Sequence, residues 1–126
     1  MEKYLKQFIA TFKKYSDFSG RASRFEYWNF VIMNFVVLFA FNILSAIVKN
    51  FLPLNALFGI LFFIYNIALI LPSIAVGVRR LHDTNKTGWL LLLVFIPILG
   101  SLTLLIFFLL SGTKGDNKYG QDPYAN

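Results

Sequence analysis

Two short runs concentrate the side chains of this sequence that could do chemistry. One holds Arg21, Arg24 and Glu26; the other holds Arg79, Arg80, His82 and Asp83. A guanidinium is a planar fork of N–H donors that matches a carboxylate or a phosphate. Glu26 and Asp83 can therefore each lock onto an arginine from the other run, a polar clasp that would fix helix order. Four arginines against two carboxylates leave positive charge over. That surplus suits lipid headgroup phosphates or an acidic partner.

Catalytic chemistry is poorly supplied. His82 beside Asp83 suggests proton transfer, but adjacent residues on a helix or turn point apart, and a working dyad is assembled from distant positions. No Ser or Cys nucleophile motif accompanies them. The chain has one histidine and no cysteine, whereas a zinc site needs three or four ligands. Glu26, Asp83 and Asp17 could form only a hard-cation site, amid arginines that oppose it. The absence of cysteine excludes disulfides and thiolate chemistry. No catalytic, cofactor or metal residue is assigned, and a non-enzymatic role is expected.

The elements that must position these runs are apolar. The 126 residues are 57% hydrophobic and 14% charged, and a small soluble domain needs more polar surface than that. Lipid supplies a second apolar solvent. The sequence predicts an all-α membrane protein in one domain, with three transmembrane helices preceded by an amphipathic N-terminal interfacial helix. The arm is 1–28, the spans are about 29–48, 54–78 and 90–110, and a polar tail occupies 111–126. Tyr4, Leu5, Phe8, Ile9 and Phe12 recur at helical spacing while Lys3, Lys6, Lys13 and Lys14 fall mostly elsewhere, which suits a helix lying at the interface. That stretch lacks the apolar core and cleavage site of a signal peptide. Gly20 permits a turn, and Ser23 with Glu26 resembles a capping box opening the first span. Tyr27, Trp28 and Trp89 suit the headgroup level as interface anchors.

The spans carry no ionisable residue except Tyr65, so a carrier mechanism has little to use. Asn34, Asn42 and Asn66 are their strongly polar groups, suited to bonding between helices. Pro97 and Gly100 interrupt the third span, and a re-entrant hairpin there is the alternative to a crossing. With three crossings the arm and the loop 79–88 share one side. That side holds Lys3, Lys6, Lys13, Lys14, Arg21, Arg24, Arg79, Arg80 and Lys86, nine of the twelve Lys and Arg; Lys49, Lys114 and Lys118, the other three, lie opposite. The positive-inside rule then places the N-terminus in the cytoplasm and the C-terminus outside. A hairpin would put the C-terminus in the cytoplasm too, so the location of Tyr124 decides the count. The net charge of +6 follows from residues flanking spans, and no nucleic-acid-binding fold fits the rest.

Taken in order, Phe18 to Arg24, Glu26-Tyr27-Trp28, Arg79-Arg80-Leu81-His82-Asp83, Gly88-Trp89, Ile96-Pro97, Gly100, Gly112 to Asn117, Tyr119-Gly120 and Pro123 resemble the small bacterial inner-membrane proteins of domain-of-unknown-function family 805, the YhaH-like proteins. One departure is Asn85, where that pattern leads one to expect glycine; Asn also tolerates a left-handed backbone. The resemblance implies a multi-pass protein of the bacterial inner membrane and supplies no activity. The expectation is a small membrane protein that associates with itself, a larger membrane partner or anionic phospholipid headgroups through the Arg/Glu/Asp face, without cofactor or nucleic acid. The alternative is an oligomeric channel or transporter component.

Overall fold

The computed structural model describes residues 1–124. Its order is α1 (Glu2–Lys13), α2 (Arg24–Val48), α3 (Leu54–Asp83), a 3₁₀ helix (Gly88–Phe95) and α4 (Leu99–Leu109). Among the described residues there is no strand, only an isolated bridge between Asn117 and Gly120 in the tail. Two helices, α2 and α3, are long and apolar enough to cross a membrane.

The distribution of side chains is the reverse of a soluble protein's. Arg79, Arg80 and Asp83 are 0–1% exposed, while Phe35 and Phe63 are 69% and 66% exposed. Charges buried at one end, with phenylalanine, leucine and isoleucine facing outward along two long helices, are stable only where an apolar solvent covers the outside.

α2 begins where Ser23 caps it: the Ser23 hydroxyl accepts from the Glu26 backbone N–H at 3.1 Å. Only that half of the capping box forms, because the Glu26 carboxylate turns to Arg79. α2 and α3 pair as a hairpin, with Tyr65 donating to Asn34 Oδ1 at 2.6 Å and Phe41 packing on Phe58, Phe62 and Tyr65. Asn42 and Asn66 instead donate to carbonyls four residues back in their own helices and face outward. α3 passes Pro72 unbroken and continues to Asp83. Residues 79–83, read from the sequence as the start of a loop, are its last turns.

The segment 90–110 differs most from expectation. It is not a single helix, and among the described residues it supplies no third helix long and apolar enough to cross a membrane. The 3₁₀ helix descends from Gly88, the chain reverses at 96–98, and α4 returns, so that Phe108 meets Tyr27 and Trp28 at the start of α2. The cause is local. Pro97 has no N–H to continue a helix, and Ile98 has a positive φ of 65°. At Gly100 a Cβ would overlap the Leu93 carbonyl, so only glycine lets the arms approach. Eight residues of 3₁₀ helix rise about 16 Å and eleven of α-helix about 16 Å, so the two arms match in length. The C-terminal tail consequently shares an end with α1. The Tyr124 hydroxyl accepts from the Arg24 backbone N–H at 2.8 Å, so the tail lies beside the start of α2 rather than at the opposite end.

α1 lies across the start of α2 and the end of α3. Phe8 and Phe12 pack on Phe30, and Asn29 donates to the Tyr4 carbonyl at 2.9 Å. One core cluster, Ala22, Phe30 and Val76, sits beneath it; a second, Leu81, Leu104 and Phe108, sits beneath the hairpin.

Candidate functional site

The two polar runs meet at the end of the molecule where α2 begins and α3 finishes. Ala22 N–H donates to the Arg79 carbonyl at 2.9 Å, which docks the turn before α2 against α3. Asp83, with no exposed surface, bridges two arginines: Arg21 at 2.9 Å through Oδ1 and Arg80 at 2.5 Å through Oδ2. Arg79 pairs with Glu26 at 2.5 Å. Arg21, Arg79, Arg80, Glu26 and Asp83 thus form one buried cluster.

Three arginines on two carboxylates leave N–H donors over, and backbone carbonyls take several of them. Arg80 donates to the Phe108 carbonyl at 3.2 Å and to the carbonyl of Leu110. These belong to the end of α4, where helical carbonyls lack partners and favour a cation. Arg21 donates to the carbonyls of Thr113 at 2.5 Å and Gly115 at 2.7 Å. Arg79 differs: its Nε and Nη2 are buried without a hydrogen-bond partner among the described residues.

The remaining expected residues sit apart from this cluster. Arg24 is exposed at its edge, with Nη1 3.4 Å from the Leu109 carbonyl. His82 turns away from Asp83. Its Nδ1 lies 3.0 Å from the Gly20 carbonyl, and its ring stacks on Tyr119 with centroids 3.9 Å apart. Burial pushes its pKa below the ordinary 6.5, and nearby Lys118 pushes the same way. Trp28 Nε1 donates to the Phe108 carbonyl at 3.2 Å and Tyr27 packs on Phe108, so both hold the hairpin's return. Trp89 is 78% exposed.

Several contributors escape sequence reasoning. Thr11 on α1 is fully buried, its hydroxyl 3.4 Å from Glu26 Oε1. Gly112 touches Asp83 so closely that a Cβ would overlap the carboxylate. Thr113 N–H donates to the Asp83 carbonyl at 2.7 Å and Asn117 to the His82 carbonyl at 2.9 Å. A glycine three residues past the end of α4 is a usable signal for Gly112; nothing in the sequence marks Thr11. Among the described residues no group of three or more His, Cys, Asp or Glu is placed to hold a metal ion.

The family model described as "Protein of unknown function (DUF805)" matches residues 15–121. This chain belongs to that family. The match runs from the turn before α2 through the tail, and so includes every residue of the buried cluster. "Inner membrane protein YhaI" of Escherichia coli K12 is 41% identical over 116 residues, covering 92% of this chain and 93% of that protein. "Inner membrane protein YhaH" of the same strain is 40% identical over 116 residues, covering 92% and 94%. "Uncharacterized protein YiiR" is 28% identical over 130 residues, covering 83% and 84%. No solved structure matches significantly.

Proposed function

We propose that this DUF805 chain is a small, non-enzymatic protein of the bacterial inner membrane whose buried arginines hold its own fold together, leaving the exposed basic rim around them to bind anionic phospholipid headgroups. The observation that carries this reading is Asp83, buried between Arg21 and Arg80, while Arg80 holds the last carbonyls of the hairpin. Donors engaged in that way are not free for a phosphate. The exposed cations near them are Lys3, Lys6, Lys13 and Lys14 on α1, and Arg24. Polybasic surfaces of this kind attract anionic lipid by about 1 kcal/mol per residue.

With the tail at the same end as α1, charge asymmetry sharpens. Lys3, Lys6, Lys13, Lys14, Arg21, Arg24, Arg79, Arg80, Lys86, Lys114 and Lys118, eleven of the twelve Lys and Arg, lie at the clasp end; Lys49 alone lies at the other. The positive-inside rule supports a cytoplasmic clasp end with both termini there. The names of YhaI and YhaH support the inner membrane.

Native mass spectrometry from nanodiscs of mixed anionic and zwitterionic lipid tests the proposal. The parent should retain anionic lipid, and Lys3→Gln/Lys6→Gln/Lys13→Gln/Lys14→Gln should lose it while remaining folded. Equal retention of both lipids by the parent would refute headgroup selection. A second reading, self-association or a pore built from several copies, is favoured by Asn42 and Asn66, whose amides bond only to carbonyls of their own helices. It predicts a defined oligomer in the same spectra that dissociates in Asn42→Leu/Asn66→Leu.

A further inference from the structure

A groove of about 460 Å³ opens between the end of α3, the 3₁₀ helix and the turn before α2. Its walls include Phe18, Ile74, His82, Thr87, Trp89 and Leu92. It exists because Gly88 lies against Val78, where a Cβ would fall 2.7 Å from the valine methyl and push the 3₁₀ helix off α3.

The groove is polar at one end and apolar at the other. His82 and Thr87 stand near the clasp end, level with Trp89. Ile74 lies one face of α3 deeper, eight residues or about 12 Å of helix from His82. An amphiphile dissolved in the bilayer has the same order along the same axis.

The polar end has a defined donor and acceptor. A carbonyl oxygen can only accept, so the 3.0 Å contact to Gly20 places the imidazole hydrogen on Nδ1 of His82. Burial holds the ring neutral near pH 7. Nε2 is then a bare acceptor. The Thr87 oxygen accepts from the Trp89 N–H at 3.4 Å, which leaves its own O–H to donate. His82 and Thr87 both line the groove, and an acceptor and a donor on its walls complement a hydroxyl. No Lys, Arg, Asp or Glu lines the groove, so a charged headgroup finds no counter-ion there.

We propose that this groove binds an uncharged single-chain amphiphile with a hydroxyl head, a long-chain alcohol or monoacylglycerol, its hydroxyl between His82 Nε2 and Thr87 Oγ1 and its chain along Ile74 and Leu92. The site is separate from the basic rim and takes a different class of ligand.

The test uses the full chain in phosphatidylcholine nanodiscs with a diazirine-bearing hexadecanol, and peptide mass spectrometry to find the cross-links. Labelling should concentrate on Phe18 and on the 3₁₀ helix around Trp89 and Leu92. Hexadecanol should compete about tenfold better than hexadecyl methyl ether, because the ether has no hydrogen for Nε2 and one lost hydrogen bond is worth about that factor. The preference should vanish in His82→Phe and fall in Thr87→Val. Leu92→Trp fills the exposed wall without touching the polar end, and should abolish labelling at the groove. Labels scattered over the outward faces of α2 and α3, equal competition by alcohol and ether, or undiminished labelling of Leu92→Trp would each overturn the proposal. Leu92→Trp decides alone where His82→Phe does not fold.

Discussion

Asp83 joins several parts of the molecule: two arginines on its carboxylate, Gly112 against its oxygens and Thr113 on its backbone carbonyl. Removing its charge strands two buried cations, and breaking a buried pair costs about 3–5 kcal/mol. Asp83→Asn should therefore lower stability in detergent by about that amount, and by more than Glu26→Gln, which strands only Arg79. Chemical denaturation of the two variants side by side checks the order. Gly112→Ala should destabilise by about 1–3 kcal/mol, the cost of overpacking, by crowding the Asp83 carboxylate without removing any charge. Asn85 tests the backbone. Its φ is 60°, so the departure from the expected glycine falls where either residue fits. Asn85→Gly should be close to neutral, and Asn85→Val should cost about 1–2 kcal/mol from left-handed strain. His82 supplies a pH dependence. Its folded pKa lies below the ordinary 6.5 because burial disfavours the charged ring, so the fold favours the neutral form. The resulting stability is complete above 6.5 and is lost as pH falls below it toward the folded value. Hydrogen exchange in residues 113–120, which His82 stacks beneath, should accelerate on acidification below 6.5, and His82→Phe should remove that change.

At the scale of elements, the predictions that rested on periodicity and length correspond to formed structure. α1, α2 and α3 occupy the stretches where apolar spacing, the Ser23 cap and unbroken hydrophobic runs put them. The segment 90–110 departs because its length and apolarity satisfy the criterion for a span, while Pro97, Ile98 and Gly100 act on the backbone at three points that composition does not weigh. Local chemistry overrides the average there. Pro97 and Gly100 were readable as an interruption; that α4 returns to the start of α2 depends on Arg80 and Trp28 taking its last carbonyls, contacts far apart in sequence. That Glu26 and Asp83 could each meet an arginine of the other run was readable from charge; which arginine each takes was not. The acceptors for the remaining donors were not, because any backbone carbonyl qualifies and only the fold selects Phe108, Leu110, Thr113 and Gly115. Gly100→Val should force the arms apart, since its Cβ overlaps the Leu93 carbonyl. The expected result is loss of proteolytic protection in the tail while the α2–α3 pair stays intact.

The whole molecule is two apolar helices and a short helical hairpin, closed at one end by a buried ionic cluster over which α1 and the tail fold. The cluster is expensive to desolvate and is stabilised by many mutual contacts, so the parts it joins should be lost together. Arg80→Ala should release both hairpin and tail, whereas Arg24→Ala, at the exposed edge, should leave them in place. The proposed topology, with α2 and α3 crossing, would put Lys3 and Lys114 on one side of a bilayer and Asn50 on the other; three crossings would put Lys114 with Asn50. The chain has no cysteine, so single replacements at these positions report without background. The most direct measurement is labelling of Lys3→Cys, Asn50→Cys and Lys114→Cys in intact cells and in inverted vesicles with a membrane-impermeant maleimide. The predicted result is that positions 3 and 114 react together from the cytoplasmic side and position 50 from the opposite side. Reaction of position 114 together with position 50 would contradict the hairpin and the clasp that holds it.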